Sequence, residues 1–228
     1  MKRSRNYNAF NQAELGFSLI EVVLAIGIFL VTVLALVGLL GPTLQSVDEV
    51  EKTDEVASIV NTVNAFLQNS PEIAGTASKF DAIYEAVASS DYAALFVFRR
   101  YVGTSTDVEL VIGFQPEASV AAEAELTASD FDNAAGPIYR VLLTASSVTP
   151  ELWLDDPDRD ANGVFTLSTT DPSVYAEGYL AMEVRIFAEQ PGPQFNPANV
   201  PPDYGTAFTL SSLPILEPIF TYNTAIVR

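Results

Sequence analysis

A run of 24 residues from Phe17 to Leu40, FSLIEVVLAIGIFLVTVLALVGLL, carries one charge, Glu21, and constrains what this chain can fold into more than any other feature. As an α-helix it would be roughly 36 Å long at about 1.5 Å per residue, enough to cross a hydrocarbon layer of about 30 Å. Gly41-Pro42 follows directly, and the preceding residues 1–16 hold Lys2, Arg3 and Arg5 against Glu14. Because the basic residues lie only on the N-terminal side, the positive-inside rule predicts residues 1–16 in the cytoplasm and the chain after Pro42 outside. An ordinary secretory signal is disfavoured: the run is too long for its apolar core and ends VGLLGP, with no pair of small residues spaced for cleavage. An uncleaved signal anchor remains compatible with the same segment.

Glu21 is the residue that this reading has to explain. An ionised carboxylate near the centre of a membrane helix costs about 2.5–3.5 kcal/mol on insertion scales, and less near an end. The cost is offset by reaching back to the interface, by protonation, or by a buried cationic partner. Bilayer physics alone leaves these three open.

The surrounding residues narrow the choice. Gly16-Phe17-Ser18-Leu19-Ile20-Glu21, placed after a short basic leader and opening an apolar helix, closely resembles the class III signal of type IV prepilins and type II secretion pseudopilins. The resemblance implies that a prepilin peptidase cuts between Gly16 and Phe17 on the cytoplasmic side and methylates the new amine of Phe17. It implies that Glu21 of one subunit forms an ion pair with the Phe17 amine of a neighbour during assembly. It further implies three kinds of partner besides the membrane: the peptidase, other pilin-like subunits in a homo- or hetero-filament, and an inner-membrane assembly platform. The location implied is the bacterial inner membrane, crossed once, with a filament in the periplasm or at the cell surface after assembly. A glycine at 16 leaves the scissile peptide accessible. One buried charge pair can set register between apolar helices that have little else to fix it, as a buried polar residue does in coiled coils. The segment TYNTAIVR and the large, cysteine-free second half also resemble prepilin-type proteins of multi-gene cassettes in Verrucomicrobia.

Beyond Pro42 the apolar residues Leu44, Val47, Val50, Val56 or Ala57, Val60, Val63 and Leu67 recur mostly every three or four positions, the stripe of an amphipathic helix. Continued from the apolar run, Phe17–Asn69 predicts a helix roughly 80 Å long, bent or locally melted at Gly41-Pro42 and ended by Pro71. The domain organisation expected is a leader over 1–16, a transmembrane and assembly helix over 17–40, its amphipathic continuation over 41–69, and an extracytoplasmic unit over 70–228. The fold class is α+β: a long N-terminal helix packed on an antiparallel sheet. Residues 79–89 read as a second helix. Strands are expected at Ala94–Val102, Val108–Phe114, Ile138–Ala145, Val164–Ser168, Tyr179–Ala188, Ala207–Leu210 and Phe220–Val227. Leu180, Met182, Val184 and Ile186 alternate with Ala181, Glu183, Arg185 and Phe187, which predicts one face on the helix and one towards solvent or a neighbour. The stretch 115–136 reads as an acidic, Ala-rich loop with a helical turn. QPGPQFNPANVPPDYG, residues 190–205, reads as an exposed loop because its five prolines prevent regular structure.

Composition removes most catalytic chemistries. The chain has no His and no Cys, so His- or Cys-based nucleophilic catalysis, thiolate or imidazole zinc sites and disulfides are excluded. With 29 Asp+Glu against 11 Lys+Arg the net charge is −18, which repels phosphate backbones and argues against nucleic-acid binding. Carboxylate pairs for glycoside hydrolysis are numerous enough, but no spacing singles one out, and no enzyme is expected. One motif suggests a cofactor. Asp158-x-Asp160-x-Asn162-Gly163 matches the start of a calcium loop, with Thr169 where a bidentate Glu is wanted and Asp171 as a substitute. The competing reading is a solvated acidic turn. The expected function is a pilin-like structural subunit of a type II secretion pseudopilus or type IV pilus; the alternative is a membrane-anchored binding module that does not polymerise.

Overall fold

The computed structural model describes residues 17–68, 72–74, 77–103, 106–114, 126–192, 195–199, 205 and 207–228. The chain divides into two units, Met1–Asp54 and Glu55–Arg228. Helix α1, Leu19–Gln68, runs through both in 50 residues. Its assignment passes through Gly41 and Pro42 without a break, so the local melting expected there does not occur. A proline removes one backbone donor and crowds one carbonyl, and long helical stretches on either side outweigh that single loss.

The second unit is α+β. After α1 come β1 (Glu72–Ala74) and β2 (Ala77–Ser78), a small antiparallel pair, and then α2, Lys79–Ser90. The main sheet is built from β3 (Ala93–Tyr101), β4 (Val108–Phe114), β5 (Ala134–Ala145), β6 (Tyr179–Glu189) and β7 (Phe220–Val227). Its strand order is β4-β3-β5-β6-β7, antiparallel at every junction. Ser78 caps α2 by accepting from the Asp81 N–H at 3.4 Å, and Asp91 ends it in the left-handed region at φ 63°.

The last turns of α1 and all of α2 lie on one face of this sheet. Ile59, Val63 and Leu67 of α1 and Phe80, Ile83 and Val87 of α2 are buried against Leu95, Val97, Val141, Leu143, Val184 and Ile186. The alternation read along β6 is correct: Leu180, Met182, Val184 and Ile186 all join this core. Lys79 supplies what the end of α1 lacks, since its last turn holds no basic residue. The Lys79 ammonium, nearly buried, donates to the Phe66 carbonyl at 2.5 Å and sits 4.4 Å from the Phe66 ring centroid. A cation on the final carbonyls of a helix complements its dipole.

The opposite face corrects the expectation of a solvent-facing surface. Phe96, Phe98 and Ile138 are buried under Leu126, Phe131 and Phe195, while Ala94, Leu142 and Phe187 lie under Val164, Phe208 and Leu213. The chain's own connections therefore cover the sheet on both sides. Two expected strands are spent on this covering. Val164–Ser168 makes only isolated bridges, Phe165 to Ala145 and Leu167 to Leu154, and Ala207–Leu210 gives one bridge, Ala207 to Asn199, before the 3-10 turn Leu210–Ile215. Within 115–136, a 3-10 turn over Ala128–Phe131 is the helical turn expected, and β5 starts earlier than read, at Ala134.

Arg140 holds this second layer down. It stands at a position of β5 where an apolar residue would be ordinary, and its side chain is 0% exposed. The guanidinium donates to Glu189 at 2.5 and 3.3 Å, to the Pro197 carbonyl at 2.9 Å and to the Asn199 carbonyl at 2.8 Å. It lies between two rings, 4.9 Å from the centroids of both Phe96 and Phe208. The proline-rich connection is thus irregular, as read, but Phe195–Asn199 is folded onto the sheet rather than exposed along its whole length. Removing one member of a buried ion pair leaves the other charge uncompensated and costs about 3–5 kcal/mol. We expect Arg140→Met to lower unfolding free energy by about that amount in urea titrations. Arg140→Met combined with Glu189→Leu recovers part of it, and the carbonyls of Pro197 and Asn199 account for the part that is not recovered.

Candidate functional site

The residues singled out from the sequence fall in two places. The first is the start of α1. Gly16 lies outside the described residues. Phe17 precedes the helix and is 82% exposed, and Glu21 is in its first turn. Leu19–Leu39, 21 residues with none of its surface buried, is long and apolar enough to cross a membrane, and no other helix among the described residues is. Sixteen large apolar side chains between Phe17 and Leu39 are exposed. At about 1.5–3 kcal/mol per buried large side chain, covering them fully is worth on the order of 25–50 kcal/mol. That is a strong driving force for covering this segment, and its length and composition are compatible with a single membrane span.

The first turn is organised by Ser18. Its carbonyl accepts from the N–H groups of Glu21 at 3.0 Å and Val22 at 3.2 Å, and its hydroxyl oxygen accepts from the Glu21 N–H at 3.3 Å. Ser18 is therefore the N-cap, with Glu21 at the third helical position. A serine three residues ahead of a glutamate, just before an apolar run, is a legible start signal that the sequence reading passed over. It gives Glu21 a local role as well: a negative charge in the first turn complements the positive end of the helix dipole. Thr32 further along is satisfied internally, its hydroxyl donating to the Ile28 carbonyl at 2.8 Å. Gly41 and Pro42 are helical.

The second place is the acidic loop Asp155–Gly163. The alternate spacing predicted Asp158, Asp160 and Asn162 aimed at one point; the structure brings Asn162 and Asp160 into direct contact. Asp158 is exposed, and its N–H donates to the Asp156 carboxylate at 2.9 Å. Asp160 turns onto its own loop: one carboxylate oxygen accepts from the N–H groups of Asn162 and Val164, both at 2.9 Å, and the other from the Asn162 side-chain amide at 2.7 Å. Burial alone would push the Asp160 carboxyl up, but these hydrogen bonds prevail and hold it below its ordinary range. Gly163, at φ 78°, closes the turn in the left-handed region. Among the described residues no group of three or more acidic side chains is placed to hold a metal.

The loop is instead tied to the sheet through guanidiniums. Arg159 donates to the Gly163 carbonyl at 2.6 Å and to Glu183 of β6 at 2.5 Å, and its guanidinium carbon is 4.8 Å from the Phe165 ring centroid. Arg185 donates to Glu183 and to the Gly163 carbonyl, both at 2.8 Å. Burial raises the Glu183 carboxyl, but the two guanidiniums outweigh it and hold it below its usual 4.5. Sequence reading missed this cluster, whose signal was a charged pair at alternate positions of β6 on the face opposite the helices.

No protein-family model, curated protein or solved structure matches this chain.

Two outcomes are expected for this loop. Asp160→Ala strips acceptors from the partly buried Val164 and Asn162 N–H groups and lowers stability by about 1–3 kcal/mol in chemical unfolding with calcium chelated. A calcium ion held by Asp158, Asp160 and Asn162 would raise the melting midpoint of the parent chain and not of Asp160→Ala. The Glu183 carboxyl titrates lower folded than unfolded, so its contribution is complete above about pH 4.5 and disappears as pH falls through the folded value. Urea midpoints measured across that window should decline on acidification, and less steeply in Glu183→Gln.

Proposed function

We propose that this chain is a pilin-like subunit of an envelope filament, stored in the membrane by Leu19–Leu39 and assembled through the same helix. The observation that supports this best is an uncovered 21-residue apolar helix whose first turn holds Glu21, the single charge in the Phe17–Leu40 run. A plain anchor has no need of that carboxylate, whereas a helix that must leave lipid and pack against its own kind does. In this reading a prepilin peptidase cuts between Gly16 and Phe17 and methylates the Phe17 amine. Before assembly Glu21 is close enough to the helix start for the dipole and the membrane interface to offset its burial. During assembly the amine of a neighbouring subunit takes over that role, and the pair fixes the axial register of otherwise featureless apolar rods. The basic residues Lys2, Arg3 and Arg5 hold the leader on the cytoplasmic side until the cut. The Glu55–Arg228 unit is then extracytoplasmic, and the type II secretion pseudopilus and the type IV pilus are the two machines that fit.

Two measurements test this. Mass spectrometry of the chain extracted from membranes should show an N-terminal N-methylated Phe17. Glu21→Val should be cut and inserted normally while incorporation into sheared filaments drops at least about tenfold, the equivalent of one poorly compensated charge. An unprocessed chain with filaments unaffected by Glu21→Val would leave a membrane-anchored binding module in its place.

A further inference from the structure

Strand β7 ends the main sheet, and its outer side has no strand beside it among the described residues. Its pairing with β6 is regular from Phe220 opposite Ile186 to Val227 opposite Tyr179, the one irregularity lying just ahead of it, where the Ile219 N–H also reaches the Ile186 carbonyl at 2.8 Å. The Arg228 N–H donates to the Gly178 carbonyl at 3.0 Å, one step further along the same ladder. That bond fixes the parity. Even-numbered residues of β7 direct their N–H and C=O groups to β6, and Thr221, Asn223, Ala225 and Val227 direct theirs outward. Folded proteins protect such edges with charges, prolines, glycine kinks or bulges. The sequence of β7, Phe-Thr-Tyr-Asn-Thr-Ala-Ile-Val, has none of these. The other edge is protected: β4 carries Glu109, paired with Arg100 of β3 at 2.6 Å, and Gly113.

An eight-residue edge with four outward-facing residues, left unprotected in a chain that charges the opposite edge, is a strand-addition surface. We infer that β7 takes up an extended segment of another polypeptide, β-branched in its centre and cationic at its flanks. The charge balance selects this occupant. A second copy brings its own net charge of −18 against this one, whereas a basic segment is drawn in by the same field. The uncharged strand itself demands nothing of its partner but main-chain hydrogen bonds and side chains that suit a pleated surface. Of the two charges that flank β7, Glu217 is exposed and adds to the attraction. The Arg228 guanidinium donates to the Tyr175 carbonyl at 3.1 Å, lies over the Phe80 ring and is 3.6 Å from the Asp81 carboxylate, which offsets its charge. Phe220 and Val227, both exposed, offer apolar contact at either end of the groove. The inference concerns the Glu55–Arg228 unit and does not depend on the filament reading.

The test uses the full chain in nanodiscs of zwitterionic lipid, which leave a cationic peptide unbound. The probe is fluorescein-labelled Lys-Lys-Thr-Val-Thr-Ile-Thr-Val-Lys-Lys. Saturable anisotropy is expected, together with slowed amide exchange at Thr221, Asn223, Ala225 and Val227 and no change at Tyr222 and Thr224. Ala225→Pro deletes an outward donor that β6 does not use, a substitution an edge strand tolerates, and should weaken binding at least about tenfold. The same peptide N-methylated at alternate residues leaves the protein untouched and should fail to bind. The inference is overturned if the N-methylated peptide or a version with Glu in place of Lys binds as well as the parent. It is also overturned if nothing binds up to about 1 mM, or if the free chain self-associates with those four amides already protected, which would make a second copy the occupant.

Discussion

The uncovered apolar surface of Leu19–Leu39 is the constraint on which the rest depends. Covering so much hydrocarbon is strongly favourable, and a lipid layer or other helices are the surroundings that would do so. That requirement separates the chain into two halves with different physics. In the first, backbone hydrogen bonds are satisfied within one helix and the large apolar side chains of Leu19–Leu39 are exposed. In the second, starting near Glu55, side chains are satisfied by a sheet covered on both faces. The same helix serves both, exposed at one end and, through Ile59, Val63 and Leu67, part of a core at the other.

Charge is managed differently in the two halves. The acidic excess of the second unit is not merely solvated. Glu183 is held between Arg159 and Arg185, and Glu189 is held by Arg140, so that several of the few basic residues are committed inside or under the covering layer. The surface left outside is strongly negative, which keeps the unit soluble and steers basic partners towards it. In the first half a single carboxylate at a helix start is the only charge in the apolar run. It is the one position where electrostatics can decide how the helix packs.

Much of this architecture was legible from residue pattern. Period-two alternation located Val108–Phe114 and Phe220–Val227 to the residue and the inner face of β6 correctly, because each of those strands is regular and paired along its length. The apolar run declared itself by length and by the isolation of Glu21. The readings that failed did so where tertiary contacts override local pattern. Val164–Ser168 and Ala207–Leu210 have strand-like composition, yet the sheet they lie on is already complete, and they serve as cover. Nothing near Arg140 in sequence announces that Phe208, Pro197 and Asn199 return to enclose it. In the acidic loop, Asp160 finds hydrogen-bond donors within four residues, a local closure that spacing alone does not reveal.

The Ser18 cap has a consequence for the way the helix begins. Every acceptor its first turn uses, the Ser18 carbonyl and hydroxyl, lies downstream of Phe17. Severing the backbone ahead of Phe17 therefore leaves these hydrogen bonds in place. The rod carries its own closure at Ser18, in the residue that follows its exposed aromatic tip.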